Sequence, residues 1–231
     1  MITLYAFGNG PDGFVGFTRD LRVEWALEEM ELPYRVEAVD YNAGALKAES
    51  FTQINPFHQL PAISDDGYCL SESGAILFYL ADKSGRLMPK DFQKKYQVIR
   101  WCVATLNTLE TNLGPLEMAY MQRETDPEKG QANVDEWTTW ARLRLKVFEE
   151  RVKDRKYLVG DEFSVADILL SNAMRRTMES PLLKDFSALR DYRLKCEDRP
   201  AWKKVLKAYE ARFEVPEGTA NAQDYLQTHL Y

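Results

Sequence analysis

Strand-like and helix-like spacings of apolar residues alternate along the first third of the chain. Residues 2–7 are rich in β-branched and aromatic side chains, which predicts a strand. Residues 21–27 are largely apolar and predict a helix, whereas residues 34–40 alternate in polarity and predict a second strand. After a helical segment near residues 43–51, two short apolar runs flank the turn signal Asp65-Asp66-Gly67 and predict a hairpin. Closed by one more helix, this order predicts a thioredoxin-like α/β unit.

A break with turn-forming residues follows at positions 84–89, and no strand pattern appears beyond it. The chain is therefore predicted to hold a thioredoxin-like domain over residues 1–82, a linker over 83–91 and an all-helical domain over 92–231. Gly114-Pro115 is predicted to interrupt one helix, and residues 126–130 are predicted to form a loop. The last residues, 216–231, are polar and aperiodic, which predicts either a tail folded over the first domain or a disordered end.

A second helix-start signal lies in the predicted helical domain. Ser164 is followed three residues later by Asp167, which is the spacing of a capping box. Asp167 is therefore expected to stabilise the start of a helix and is not expected to act as a catalytic acid.

Composition narrows the class of protein. The 231 residues are 45% hydrophobic and 29% charged, and no apolar run approaches the roughly 20 residues that span a bilayer. With no apolar leader, we expect a cytoplasmic protein without a membrane partner. Three scattered cysteines and two histidines predict neither a disulfide framework nor a metal site. Residues 1–82 hold four lysine and arginine residues against thirteen acidic ones, which argues against nucleic acid as a partner.

Residues 55–83 carry the strongest functional signal. A residue before proline is extended and proline tolerates a cis bond, so a cis Leu60-Pro61 bond would present the main-chain N–H and C=O of Leu60 outward. Such groups bind an extended peptide as an added strand. The following helix begins near Glu72 and Ser73, and the orphan N–H groups of a helix start favour a carboxylate. This combination predicts a site for a short peptide that has its own carboxylates.

The same residues resemble a known family. The stretch resembles the glutathione-binding half of the soluble, bacterial-type glutathione S-transferases in the run Asn55-Pro56, Gln59-Leu60-Pro61, Asp66-Gly67, Leu70, Glu72-Ser73, Ala75-Ile76 and Tyr79-Leu80-Ala81. The resemblance extends over nearly the whole chain. It implies a thioredoxin-like α/β N-terminal domain followed by an all-α C-terminal domain, and a cytoplasmic homodimeric detoxification enzyme that uses glutathione as co-substrate without a metal.

The resemblance also implies roles for individual residues. Gln59 is expected to contact the glycine end of glutathione, and the main chain of Leu60, before Pro61, is expected to pair with the cysteinyl part. Glu72 and Ser73 are expected to hold the γ-glutamyl end. His58 stands where relatives often have a small residue, and it either contacts the ligand or simply lies exposed.

Thiol activation is where the sequence departs from the family pattern. The position at which many relatives carry serine falls on Phe17, which has no donor. Thr18 is the nearest hydroxyl and is a candidate for activating the thiol, although it could instead only cap the first helix. Arg19 and the main-chain N–H groups of residues 18–20 are the alternative activators. No cysteine lies near this position, which disfavours a mixed-disulfide mechanism.

The resemblance places a second-substrate pocket between the two domains. Apolar and aromatic side chains are expected to line it, namely Phe7, Phe14, Phe17, Leu113, Met118, Tyr120 and Met121. The favoured hypothesis is a transferase that moves the glutathione thiolate to a hydrophobic small molecule. The alternative is a glutathione-binding or protein-interaction module of the same fold without turnover, against which the presence of Gln59, Glu72 and Ser73 argues.

Overall fold

The computed structural model describes residues 1–10, 15–175 and 181–221, with the side chains of 181, 183 and 221 left aside. The predicted pocket residue Phe14 and the tail beyond residue 221 lie outside the described residues. The chain divides into two compact units. One unit comprises Met1–Met88 together with the segment that begins at Asp198, and the other comprises Pro89–Glu197.

The first unit is built on a four-stranded sheet. Its strands are β1 Ile2–Phe7, β2 Tyr34–Val39, β3 Ala62–Asp65 and β4 Tyr68–Ser71, in the spatial order β2-β1-β3-β4. Strand β1 pairs in parallel with β2 and antiparallel with β3, while β3 and β4 form the predicted hairpin. Its helices are α1 Asp20–Glu29, α2 Glu49–Thr52 and α3 Ser73–Ser84. The predicted α/β order of this half is confirmed.

A helix from the end of the chain belongs to the same unit. Helix α9, Pro200–Arg212, packs against α1, and the ring centroids of Trp25 and Trp202 lie 4.7 Å apart. Both indoles are fully buried. The boundaries predicted from the sequence group α9 with the helical domain instead, because apolar spacing shows which face of a helix is buried but not which unit covers it.

The chain after α9 also returns to this sheet-containing unit. A short 3₁₀ turn at Thr219–Asn221 brings Ala220 against Gly16 in the loop between β1 and α1. Gly16 has φ +83°, and a Cβ added there would lie 2.4 Å from the carbonyl oxygen of Ala220. Ala220 therefore lies against the first unit, while both predicted alternatives for residues 222–231 concern a segment outside the described residues.

The second unit is helical throughout its described residues, in agreement with the sequence. Its long helices are α4 Phe92–Val103, α5 Glu110–Thr125, α6 Pro127–Val152, α7 Val165–Met174 and α8 Ser187–Glu197, with a π-helical segment at Ala104–Leu109 and a 3₁₀ turn at Pro181–Asp185. Two local predictions are wrong. Helix α5 runs through Pro115, and α6 begins at Pro127 directly after α5, with Asp126 accepting a hydrogen bond from the N–H of Lys129.

The predicted capping box is present at the start of α7. Asp167 is fully buried and accepts hydrogen bonds from the N–H of Ser164 at 2.7 Å and from that of Leu158 at 2.8 Å. It also accepts one from the Tyr192 hydroxyl. Burial raises the pKa of the Asp167 carboxyl, while these donors act in the opposite direction. Asp167 thus organises the fold of the second unit, as the sequence indicated. In the described ranges, no helix combines the length and apolar character needed to cross a membrane.

Replacement of glycine by alanine should have opposite effects at two positions of the second unit. A Cβ at Gly130 would lie 2.3 Å from the main-chain N and Cα of Arg123 on α5, whereas a Cβ at Gly114 meets nothing within 4 Å. Gly130→Ala should therefore cost about 1–3 kcal/mol through overpacking. Gly114→Ala, its control within α5, should stabilise the protein by about 0.4–1 kcal/mol. Urea denaturation measures both, and equal stability of wild type and Gly130→Ala would contradict the close α5–α6 packing.

Candidate functional site

The loop before β3 has main-chain groups available for a ligand. The peptide bond between Leu60 and Pro61 is cis, and the first residue of β3 that pairs with a neighbouring strand is Ala62. Within the described part of the chain, the N–H and C=O of Leu60 make no hydrogen bond. An extended peptide lying beside Leu60 would therefore find one donor and one acceptor ready to pair.

A buried asparagine fixes this loop. The side-chain amide of Asn55 donates to the carbonyl of Gln59 at 2.8 Å and accepts from the N–H of Phe57 at 3.0 Å. His58 has φ +53°, and its Nδ1 lies 2.7 Å from the carbonyl oxygen of Leu46. Since a carbonyl only accepts, Nδ1 carries the proton, and the neutral ring then has Nε2 as its acceptor. The Gln59 side chain is exposed beside them.

The start of α3 supplies the second part of the site. Glu72 is its N-cap residue, with φ +69° and ψ 112°, a conformation that costs a non-glycine residue about 1–3 kcal/mol. The buried Ser73 hydroxyl oxygen lies 3.3 Å from Nη1 of Arg22, which donates to it. Sequence reasoning missed Arg22. The available signal was a cation inside the apolar run of the first helix, which must have a partner if that helix is buried.

Strand pairing brings the loop at Leu60 and the start of α3 to the same end of the sheet. Ala62 of β3 pairs with Ser71 of β4, so the loop at Leu60 and the start of α3 leave the hairpin at the same end. Tyr5 of β1 also pairs with Ala62, which brings the C-terminal end of β1 and the loop after it to that edge. The predicted residues Gln59, Leu60, Glu72 and Ser73 therefore share one end of the sheet with the segment that holds residues 15–19.

Thr18 lies inside the protein. It is 5% exposed, and its hydroxyl is hydrogen-bonded to the hydroxyl of Tyr209 on α9 at 2.9 Å. The N-cap position of α1 belongs to Arg19, so the interpretation of Thr18 as the cap is wrong. Arg19 itself is exposed, and its side chain makes no capping hydrogen bond. The geometry thus supports a stabilising role for Thr18, and its predicted role in thiol activation stays a prediction.

A buried charged cluster lies under the start of α1. Asp20 and Glu24 occupy successive turns and are almost inaccessible to solvent. Arg212 donates to Glu24 at 2.9 and 3.4 Å, and its Nη2 lies 3.9 Å from Oδ2 of Asp20. Burial raises the pKa of both carboxyls, and the charge of Arg212 opposes that rise. Burial and the nearby Asp20 raise the pKa of Tyr209.

The residues predicted to line a second-substrate pocket are divided between the two units. In the first unit, Phe7 and Phe17 are partly buried, and the Phe7 ring packs against Tyr41 with centroids 5.7 Å apart. In the second unit, Leu113 is buried in the core, and Tyr120 lies under the guanidinium of Arg123. Met118 and Met121 line a cavity of about 850 Å³ between α5 and α6, together with Pro115, Ala119, Gln122, Thr125, Asn133 and Trp137.

The three cysteines differ in burial. Cys102 and Cys196 are buried, and burial raises the pKa of both thiols. Cys69 lies on β4 and is partly exposed. Among the residues that the structure describes, no group of three or more histidine, cysteine and acidic side chains is arranged to hold a metal ion.

Comparison with known proteins agrees with the fold. The family models for the N-terminal and C-terminal domains of glutathione S-transferase match residues 13–82 and 113–212. A glutathione S-transferase from Hyoscyamus muticus is 33% identical over 202 residues, which cover 80% of this chain and 92% of that protein. The chain belongs to the soluble glutathione S-transferase family. The resemblance seen in the sequence is thereby confirmed.

Two further proteins are similar to this glutathione S-transferase family member. The disulfide-bond oxidoreductase YfcG of Escherichia coli is 29% identical over 175 residues, 73% of this chain and 76% of that protein. A glutathione transferase from Burkholderia graminis, solved with two glutathione molecules bound per subunit, superposes with a TM-score of 0.77 at 27% identity. That match covers 90% of this chain and 88% of the other.

The buried Thr18–Tyr209 contact predicts a stability effect. Thr18→Val leaves the Tyr209 hydroxyl buried with one partner fewer, and should cost about 1–3 kcal/mol of unfolding free energy. Tyr209→Phe should cost a similar amount. The double variant should lose less than the sum of the two, because both polar groups are then gone. Urea denaturation of all three provides the coupling energy, and strictly additive losses would show that the two hydroxyls do not interact.

Proposed function

We propose that this protein is a cytoplasmic glutathione transferase that binds glutathione at the edge of the first unit and transfers its thiolate to a hydrophobic small molecule. The observation that carries the proposal is the unpaired main chain of Leu60 at the same hairpin end as the start of α3. A tripeptide with carboxylates at both ends matches such a pairing strip beside a helix N-terminus. The three cysteines are all free thiols, as is usual for a protein in a reducing compartment.

Each part of glutathione has a proposed partner. The cysteinyl main chain pairs with Leu60, the γ-glutamyl end is held at Glu72 and Ser73, and the glycine end lies near Gln59. Arg22 supports this assignment because it fixes the Ser73 hydroxyl from the buried side. The Nδ1 of His58 is hydrogen-bonded to the carbonyl oxygen of Leu46, so any contact that the ring makes with the ligand uses Nε2.

The bound thiol must be ionised before it attacks. A thiol with a pKa of about 8.5 is only a few per cent thiolate at neutral pH, so the enzyme needs donors aimed at the sulfur. The Thr18 hydroxyl is engaged inside the protein. We therefore propose that the main-chain N–H groups of residues 18–20, together with Arg19, stabilise the thiolate. The partial positive charge at the start of α1 supports this choice, because it favours an anion at that helix end.

Two experiments test the function. The protein should be retained on immobilised glutathione, and it should conjugate glutathione to a generic aryl halide. Retention without conjugation, and without glutathione-dependent disulfide reduction, would favour a binding or interaction module. Disulfide reduction without conjugation would favour the activity named for the Escherichia coli relative. Absence of any binding would remove the glutathione proposal.

A substitution at the start of α3 tests where glutathione binds. Ser73→Ala should weaken glutathione binding by about 1.5–3 kcal/mol, the amount typical of a lost hydrogen bond to a charged group. It should also lower the free energy of unfolding, because the buried Arg22 guanidinium loses a hydrogen-bond partner. Ser84→Ala, at the opposite end of the same helix, is the matched control and should bind normally. Isothermal titration calorimetry measures both, and an unchanged dissociation constant for Ser73→Ala would refute the assignment.

We also propose that two chains form a homodimer. Phe57 and Phe92 are 65% and 72% exposed, which leaves aromatic surface on both units that a partner chain would cover. The acidic first domain and the slightly basic remainder suit an arrangement in which unlike domains meet. Opposite charges closer than about 10 Å attract each other there, whereas salt screens more distant ones. Light scattering at micromolar concentration should give twice the chain mass of 26.7 kDa, and the mass of a single chain would disprove the dimer.

A further inference from the structure

The last residue of α9 binds main chain at the end of β1. Arg212 donates through Nε to the carbonyl of Phe7 at 3.0 Å, and Asp20 accepts from the N–H of the same residue at 3.0 Å. Phe7 ends β1, and Asp20 begins α1. The two ends of the loop that joins β1 to α1 are therefore tied to each other and to α9 through one buried cluster.

This cluster holds two acidic side chains and one basic side chain. Asp20 and Glu24 face a single guanidinium, that of Arg212, and Oδ1 of Asp20 has no hydrogen-bond partner among the described residues. The other titratable or charged groups around it are Tyr209 on α9, then Glu28 with its partners Lys204 and Tyr34. A carboxylate under the start of α1 opposes the formation of a thiolate at that start, because like charges raise the pKa of an acid.

The loop is also held from its other side. Gly16 packs against the carbonyl of Ala220, and the N–H of Ala220 is bound by Glu210 of α9 at 2.9 Å. Side chains of α9 and the turn that follows it therefore fix residues on both sides of Phe17. The position of the main-chain N–H groups of residues 18–20 depends on these contacts.

We propose that Arg212 is a positioning residue for thiolate formation at the glutathione site. It anchors the loop through Phe7 and offsets the charges of Asp20 and Glu24, so that the start of α1 stays favourable for a second negative charge. This inference rests on the proposed function, because it concerns the sulfur of bound glutathione. Arg212 itself does not touch the ligand.

The test compares two arginines that both join α9 to α1. Arg212→Lys keeps a positive charge but loses the two-pronged contact with Glu24 and the Nε–H that binds Phe7. Arg199→Lys is the control, since Arg199 binds Glu29 at 2.6 Å through two nitrogens at the other end of α1. Thiolate absorbance of bound glutathione is followed against pH. Arg212→Lys should raise the thiol pKa by about one unit, and Arg199→Lys should leave it unchanged.

A second variant gives a shift of the opposite sign. Glu24→Gln removes one negative charge and retains an oxygen for Arg212, so it should lower the thiol pKa. Binding of S-methylglutathione, which has no ionisable thiol, should be unchanged in all three variants. If the variants bind S-methylglutathione and their thiol pKa values equal that of wild type, or if Arg212→Lys and Glu24→Gln shift it in the same direction, the positioning role is overturned. If wild type binds neither ligand, the proposed function itself fails.

Discussion

Burial of charged side chains on α1 is the constraint on which this site depends. Residues 20–27 of that helix are all buried, and they include Asp20, Arg22 and Glu24. An unpaired charge in such a place costs several kcal/mol, so each of the three needs a partner. Asp20 binds the N–H of Phe7, Arg22 binds the hydroxyl of Ser73, and Glu24 binds Arg212. The helix thereby connects the end of β1, the start of α3 and the end of α9, which are the elements around the candidate site.

Features that depend on local signals could be predicted from the sequence more readily than features that depend on tertiary contacts. The hairpin, the capping box at Ser164 and the α/β order rest on turn chemistry, capping and apolar spacing, and the structure reproduces them. The start of α6 is also set locally, by Asp126 as N-cap and Pro127 in the first turn, and the predicted loop missed these signals. The run of α5 through Pro115 depends instead on tertiary packing, which overrides the local preference of glycine and proline. The same holds for the site. Leu60, Glu72 and Ser73 follow from a contiguous motif, whereas Tyr209 and Arg212 contact Thr18 and Phe7 from 191 and 205 residues away in the sequence.

Energetics favour main-chain donors over Thr18 for stabilising a thiolate. For the Thr18 hydroxyl to donate to a bound sulfur, it would have to leave Tyr209, and an unsatisfied buried hydroxyl costs about 1–3 kcal/mol. A shift of one pKa unit in the bound thiol corresponds to about 1.4 kcal/mol, so the loss would cancel most of the gain. Main-chain N–H groups at the start of α1 do not require Thr18 to leave Tyr209, and the helix dipole favours an anion at that end.

The buried cluster at Arg212 is better explained by its effect on the position of the β1–α1 loop than by a contribution to the stability of the fold. Replacing a buried ion pair with apolar residues is often neutral or stabilising, so a charged cluster is not needed to attach α9 to α1. The packed indoles of Trp25 and Trp202 already provide buried apolar contact there. Apolar packing alone does not fix the orientation of the main chain. A guanidinium with fixed N–H vectors holds the Phe7 carbonyl and the Glu24 carboxylate at once, and it therefore sets the path of the loop that leads into α1.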